Sequence, residues 1–254
     1  MSTILYPSPI FGPIHSRRLG VSLGINLLPA DGKVCTFDCI YCECGLNGEH
    51  RPTLPMPSRE EVRTALERRL QDMAANGPSP DVLTFAGNGE PTCHPDFASI
   101  IADTIELRNR YFPCAKVSVL SNATQIHRQT VREALMTIDN NILKLDTLLP
   151  DATMAIDRPT GHYATDRIVD DMQKFDGHVI IQTIYFHRDN EPDDTQPAID
   201  QYIDTLRIVR PQQVMLYTID RETPTPGLTK ATHEELDSIA DEIRKAGFDC
   251  QVSY

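Results

Sequence analysis

Hydrophobic positions along the chain follow two alternating periods. Short β-branched runs at 21–28, 82–86, 116–120, 142–146, 178–186, 213–219 and 248–253 read as strands. Between them apolar residues return every three or four positions, as in Val62, Leu66, Leu70 and Met73, the spacing of one helix face. Ser58-Arg-Glu-Glu61 just ahead of that stripe is a capping-box pattern, and Thr232-His-Glu-Glu235 repeats it before Leu236, Ile239 and Ile243. Gly247 then supplies a helix stop. Further helices are expected over 95–110, 127–138, 165–175 and 195–209. From residue 82 onward strand and helix alternate with the period of a βα unit, so the strands should be parallel. Six or so such units build a partial barrel or a doubly wound open sheet, and periodicity does not choose between them. No linker divides the chain, which reads as one domain over 1–254. Residues 190–194 are expected to form a βα loop at the mouth of the fold. The first 34 residues are expected as an N-terminal extension leading into a cysteine-rich loop at 35–44.

Composition narrows the functional classes. The chain of 254 residues is 40% hydrophobic, enough for a substantial core. Its 36 acidic residues outnumber 24 basic ones, giving a formal charge of −12, which disfavours a broad nucleic-acid footprint. Arg17-Arg18 and Arg68-Arg69 are small basic spots, the second of them on a helix rich in acids and read as a solvated face. Residues 1–15 carry no apolar segment of a secretory signal, and no run has the length of a membrane span. The expected compartment is the reducing cytoplasm.

The chemistry is concentrated in Cys35-Thr-Phe-Asp-Cys39-Ile-Tyr-Cys42. Three thiolates holding a [4Fe–4S] cluster leave one iron without a protein ligand, and an open metal position is where chemistry happens. Cys44 follows at once, so a structural zinc or a closed electron-transfer cluster with four cysteine ligands stays open as an alternative, one that would make the chain a metal-binding or electron-transfer protein. Cys93, Cys114 and Cys250 show no mutual spacing and read as small hydrophobes. Phe85-Ala-Gly-Asn-Gly-Glu-Pro-Thr92 lies directly after the strand at 82–86, where parallel α/β folds bind ligands. Its glycines let backbone approach a ligand closely, and Glu90 can accept from an ammonium group. Ser121-Asn122 holds the same place after the next strand, as ligand contacts or as a helix cap. Lys144 and Asp146 alternate along one strand face. Gln182, Tyr185, Tyr217 and Asp220 sit similarly in or near strands that ought to be apolar. Such residues either contact substrate or form buried pairs.

The cysteine spacing, with aromatic Tyr41 just before Cys42, resembles the radical S-adenosylmethionine (SAM) superfamily, and Gly87-Asn88-Gly89-Glu90-Pro91 resembles its G-G-E-P element, with Asn88 in place of the second glycine. The resemblance implies a partial (βα)6 barrel. It also implies one [4Fe–4S] cluster on Cys35, Cys39 and Cys42, and SAM whose methionine end meets Gly87, Asn88, Gly89 and Glu90. Tyr41 would then pack near the adenine, and Ser121 and Asn122 near the ribose or the SAM carboxylate. It further implies reductive cleavage of SAM, hydrogen abstraction from substrate, and a reductant such as a flavodoxin or ferredoxin. Lys144, Asp146, Gln182 and Tyr217 are the candidate substrate-side catalytic residues. The stretch 16–29, the cysteine loop, 87–92 and 216–221 together resemble compact radical SAM proteins related to wyosine-type tRNA-modifying synthases. Those tRNA-modifying members use a second cysteine set that this chain lacks, so a small molecule or peptide is the expected substrate and tRNA the alternative.

Overall fold

The computed structural model describes residues 3–16, 19–189 and 199–254. Its chain order begins β1 (Ile10–Ser16), β2 (Gly20–Ile25), α1 (Arg59–Asn76), β3 (Val82–Phe85), α2 (Phe97–Tyr111), β4 (Lys116–Ser121) and α3 (Gln129–Leu135). It continues β5 (Asn140–Lys144), α4 (Pro150–Ile156), α5 (Thr165–Gln173), β6 (Ile180–Ile184), β7 (Phe186–Arg188) and α6 (Ile199–Val209). It ends β8 (Gln213–Tyr217), β9 (Leu228–Lys230), α7 (His233–Lys245) and β10 (Cys250–Ser253). The main sheet has eight strands in the order β1-β2-β3-β4-β5-β6-β8-β10. Every neighbouring pair is parallel except β1–β2. This is an open, curled half-barrel: the βα period led us to expect its parallel strands, and the family resemblance its partial barrel.

The predicted strands all fall on strands of this sheet, and both capping boxes form, at Ser58 and at Thr232. Val62, Leu66, Leu70 and Met73 are buried on the sheet-facing side of α1. Gly247 takes a positive φ of 94° just beyond α7. Ile142, Ile180 and Met215, with Leu19 and Leu120 against them, fill the barrel interior with apolar side chains.

Three features differ from the sequence reading. A strand not read from the sequence, β1, closes the sheet edge against β2, the strand expected at 21–28, which pairs in parallel with β3. The run at 178–186 divides, because β7 leaves the main sheet and pairs antiparallel with β9. A short helix, α4, opens on Pro150 at its first turn, where proline is tolerated. Arg17, Arg18 and the loop at 190–194 lie outside the described residues, as does the start of the helix expected at 195. Among the described residues no helix is long and apolar enough to cross a membrane.

Candidate active site at the carboxyl ends of the strands

The cysteine loop follows β2 and packs its inner side on a cluster of Phe37, Cys39, Ile40, Tyr41, Ile156, Ile184 and Phe186. Helix α4 anchors it by backbone bonds, Ile40 N to Ile156 O at 2.9 Å and Asp38 N to Asp157 O at 2.9 Å. Its start is joined to the glycine-rich stretch. Val34 N donates to Asn88 O at 3.0 Å, and Glu90 N donates to Val34 O at 3.0 Å, forming a parallel bridge between Val34 and Gly89. A Cβ on Gly89 would sit 1.9 Å from Val34 O, so this approach needs glycine. Cys35 is thereby carried next to Glu90.

Glu90 is buried at 2% exposure and is fully engaged. Its Oε1 accepts from Thr92 N at 3.0 Å, from the Thr92 hydroxyl and from Ser121 Oγ at 2.8 Å, while Oε2 accepts from Asn122 N at 2.6 Å. Burial pushes its carboxyl above the usual range, against the donors from Thr92, Asn122 and Ser121. Asn122 Nδ2 donates to Thr36 Oγ1 at 2.9 Å and lies 3.6 Å from Cys35 Sγ. Ser121, Asn122, Glu90 and Cys35 are therefore one hydrogen-bonded group drawn from three separate parts of the chain.

Asn88 is held by the N-terminal segment. Its Oδ1 accepts from Tyr6 N at 2.7 Å, and its Nδ2 donates to Tyr6 O at 2.9 Å and Pro29 O at 2.8 Å. With its backbone N–H on Asn26 Oδ1 and its carbonyl on Val34, every polar group of Asn88 is used inside the protein. Its side chain clamps the N-terminal segment.

Tyr41 is buried with its ring tilted on Phe186. Its hydroxyl donates to Asp146 and accepts from Lys144, and Lys144 Nζ also lies 3.1 Å from Asp146 and 3.7 Å from Cys39 Sγ. Asp157 joins them, accepting from Cys39 Sγ at 3.4 Å and from the Tyr41 hydroxyl at 3.3 Å. Burial, then the neighbouring Asp146, push Asp157 up to about 7. Burial and then Asp146 also drive the Tyr41 hydroxyl well above its usual value. Lys144 and Asp146 thus form the buried pair that the sequence left open, and they brace Cys39 and Tyr41. Gln182 and Tyr217 instead line a cavity of ≈ 520 Å³ that reaches Tyr41, Cys42 and Gly87. A larger cavity of ≈ 650 Å³, around Asp81, Lys116 and Asn140, lies at the opposite ends of the strands, away from the cysteines.

The sulfurs themselves sit in a polarised setting. Burial pushes the Cys35 thiol up to about 12 and the Cys39 thiol up as well, the latter opposed by Lys144. The hydrogen bond from Cys44 brings Cys42 down to about 5 and leaves the proton on Cys44, whose Sγ also donates to Gly87 O at 3.3 Å. Lys33, unforeseen from the sequence, is buried beside them and donates to Gly45 O at 2.7 Å. Asp157 is likewise new, and its 100-odd-residue separation from the cysteines left no local signal. Among the described residues no three His, Cys, Asp or Glu side chains are arranged around a single metal ion. Thiolates of a four-iron cluster each take a different iron, so they need not converge on one point. Three cysteines with N–H donors from Asn122, Phe37 and Lys144 aimed at sulfur fit such a cluster.

Comparison with known proteins agrees with the fold. No family model matches the chain. Among solved structures, SuiB of Streptococcus suis bound to S-adenosylmethionine superposes with a TM-score of 0.63 at 18% identity, over 90% of this chain and 50% of that one. SuiB bound to its precursor peptide SuiA gives 0.65 at 17% identity, over 91% of this chain and 48% of that one. A radical SAM methyltransferase from Sphaerobacter thermophilus gives 0.66 at 13% identity, over 92% and 66%. The half-barrel is therefore the fold of radical SAM enzymes. Among curated sequences, the GTPase Obg of Brachyspira hyodysenteriae is 27% identical over 241 residues, 90% of this chain, which spans 32% of that protein. A UPF0026 protein of Synechocystis sp. is 30% identical over 224 residues, covering 85% of this chain and 77% of that protein, and so the chain belongs to the UPF0026 family.

Proposed function

We propose that the chain is a radical SAM enzyme acting on a small-molecule or peptide substrate. Cys35, Cys39 and Cys42 hold a [4Fe–4S] cluster, and Glu90 with the Gly87–Gly89 backbone receives the amino-acid end of SAM. When bound, cluster and SAM supply reductive cleavage to methionine and a 5′-deoxyadenosyl radical that takes hydrogen from the substrate. The observation that carries this reading is the Val34–Gly89 bridge, which sets Cys35 beside a buried, ionisable Glu90 at the strand ends. Ser121 and the Asn122 backbone keep the Glu90 carboxylate oriented, and the Lys144–Asp146–Asp157 network fixes Cys39 and Tyr41 from behind. Gln182 and Tyr217, in the adjoining cavity, are the substrate-side groups. A peptide substrate finds support in the likeness to SuiB, seen with its precursor peptide. The electron comes from a flavodoxin or ferredoxin, and the chain works in the cytoplasm.

The test is anaerobic reconstitution followed by dithionite and SAM, with iron content, visible absorption and 5′-deoxyadenosine measured. Cys35→Ala, Cys39→Ala and Cys42→Ala should each abolish iron loading and product, and Cys44→Ala should retain both. A second reading draws on the contact between Cys44 and Cys42: a closed four-cysteine site without SAM chemistry. Loss of the cluster in Cys44→Ala alone, or zinc in place of iron in the wild type, would establish it. A wyosine-type activity on tRNA would show instead as submicromolar, salt-sensitive tRNA binding lost on replacing Arg17 and Arg18.

A further inference from the structure

Lys33 is the one lysine among the described residues that is buried as a whole, with its side chain 1% exposed. An ammonium withdrawn from water persists only where acceptors and anions face it. Its carbonyl acceptor is Gly45 O at 2.7 Å, three residues beyond Cys42. The one carboxylate in ion-pair reach is Asp38, whose Oδ1 lies 3.8 Å away, is partly exposed and already accepts from Asn47 N at 2.6 Å. Lys144, the other ammonium near the cysteines, is different. It lies 3.1 Å from Asp146 and 3.8 Å from Asp157, so two carboxylates take up its charge. Lys33 has one carboxylate, at 3.8 Å, and is buried in the loop that carries Cys35, Cys39 and Cys42. Its position adds a mechanical role: residue 33 begins the cysteine loop and Gly45 ends it, so the side chain ties the two ends together while Lys33 N donates to His50 O at 2.7 Å.

We propose that Lys33 is a positioning residue for the cluster on Cys35, Cys39 and Cys42, stapling the loop and raising the cluster's reduction potential through its buried charge. The inference rests on the radical SAM reading. One-electron reduction by a low-potential donor adds one negative charge to a group already carrying three thiolates. A fixed cation buried in the same poorly solvated loop favours the reduced state over the oxidised one. Without it, the same donor reduces a smaller fraction of the enzyme.

The test is a dithionite titration of the reconstituted full chain, with the paramagnetic reduced cluster followed by electron paramagnetic resonance and iron counted in each sample. Lys33→Gln can still donate to Gly45 but has no charge. It should load iron as the wild type does, with a midpoint more negative by about 59 mV, a tenfold change in the reduced-to-oxidised ratio. Lys33→Met, lacking both features, should lose iron as well. A fully loaded Lys33→Gln with the wild-type midpoint would overturn the charge role. If Lys33→Gln fails to load, Asp38→Asn decides. Removing that partial counter-charge should move the midpoint positive, and an unmoved midpoint would overturn the proposal. A wild type that holds no cluster would refute the radical SAM reading and this inference with it.

Discussion

Gly89→Ala tests the joint on which the site is built. The added Cβ would stand 1.9 Å from Val34 O, 2.5 Å from Val34 C and 3.0 Å from Leu28 Cδ1, and Gly89 holds φ at 130°. Two of these three neighbours are backbone, so no rotamer change relieves the clash. A non-glycine residue in that conformation costs about 1–3 kcal/mol, and overpacking a well-filled site costs a similar ~1–3 kcal/mol. If the bridge opens instead, the bonds Val34 N to Asn88 O and Glu90 N to Val34 O are lost, each contributing about 1 kcal/mol. By either route about 2 kcal/mol or more is forfeited, and about 2–4 °C per kcal/mol makes this a fall of at least roughly 4–8 °C in Tm. Gly247→Ala is the internal control, since φ there is 94° and nothing lies within 4 Å of a Cβ, so it carries conformational strain without the clash. Differential scanning calorimetry and iron content after reconstitution are the assays. A Gly89→Ala protein that melts with Gly247→Ala and loads iron in full would refute the argument that the Val34–Gly89 approach positions Cys35.

Three further outcomes follow from single contacts. Asn88→Gly, which restores the glycine of the family element, should cost about 2–3 kcal/mol through lost bonds to Tyr6 and Pro29. It should also speed hydrogen exchange at residues 3–9 while leaving SAM affinity unchanged. Glu90→Gln should keep the cluster but weaken SAM binding about tenfold or more, because a charge-assisted bond contributes about 1.5–3 kcal/mol; equal affinity by calorimetric titration would remove Glu90 from the SAM site. Asp103 on α2 accepts from Arg59 at 2.6 and 2.8 Å and from Arg63 at 3.0 Å, and the Arg59 bond holds its carboxyl below the ordinary 3.8. A lowered native value means stabilisation present above 3.8 and lost as pH falls through the native value. Asp103→Asn should therefore cost about 1–2 kcal/mol at neutral pH, discounted for the exposed Arg59, and progressively less in acid, as urea melts across pH would show.

What the sequence made legible was local. The cysteine spacing, both capping boxes and the turn at 87–90 depend on residues within a few positions of one another, and each reappears where the pattern put it. The missed elements depend on distant partners. Strand β1 carries Pro13 and is held by pairing with β2 alone, so its pattern is too weak to stand out. Strands β7 and β9 are three residues each and stabilise one another across some forty positions. The same distinction separates the polar residues. Lys144 and Asp146 were recognisable as sharing a face, but only the fold shows that Tyr41, more than a hundred positions away, ties them to the cysteine loop and not to the cavity.

Asn88 shows how one departure from a family pattern reshapes a site. With glycine there, the N-terminal segment would keep only the Asn26 amide to pair with. Here the Asn88 amide mimics a neighbouring strand, exchanging two hydrogen bonds with the Tyr6 backbone, and Asn26 adds a third to Tyr6 O at 3.1 Å. Tyr6 so placed becomes a wall of the cavity. Its hydroxyl accepts from Arg221 Nη1 at 3.2 Å, and the same nitrogen donates to Glu43 at 2.8 Å, between Cys42 and Cys44. Ile4 N completes the link by donating to Glu43 O at 2.9 Å. An open half-barrel leaves its first and last strands apart, and this chain bridges that gap beside the cysteine loop with its own N-terminal segment and the loop after β8. Asparagine at position 88 is thus part of how the cavity is closed, which is why Asn88→Gly should loosen the N-terminal segment while leaving Glu90 and its partners in place.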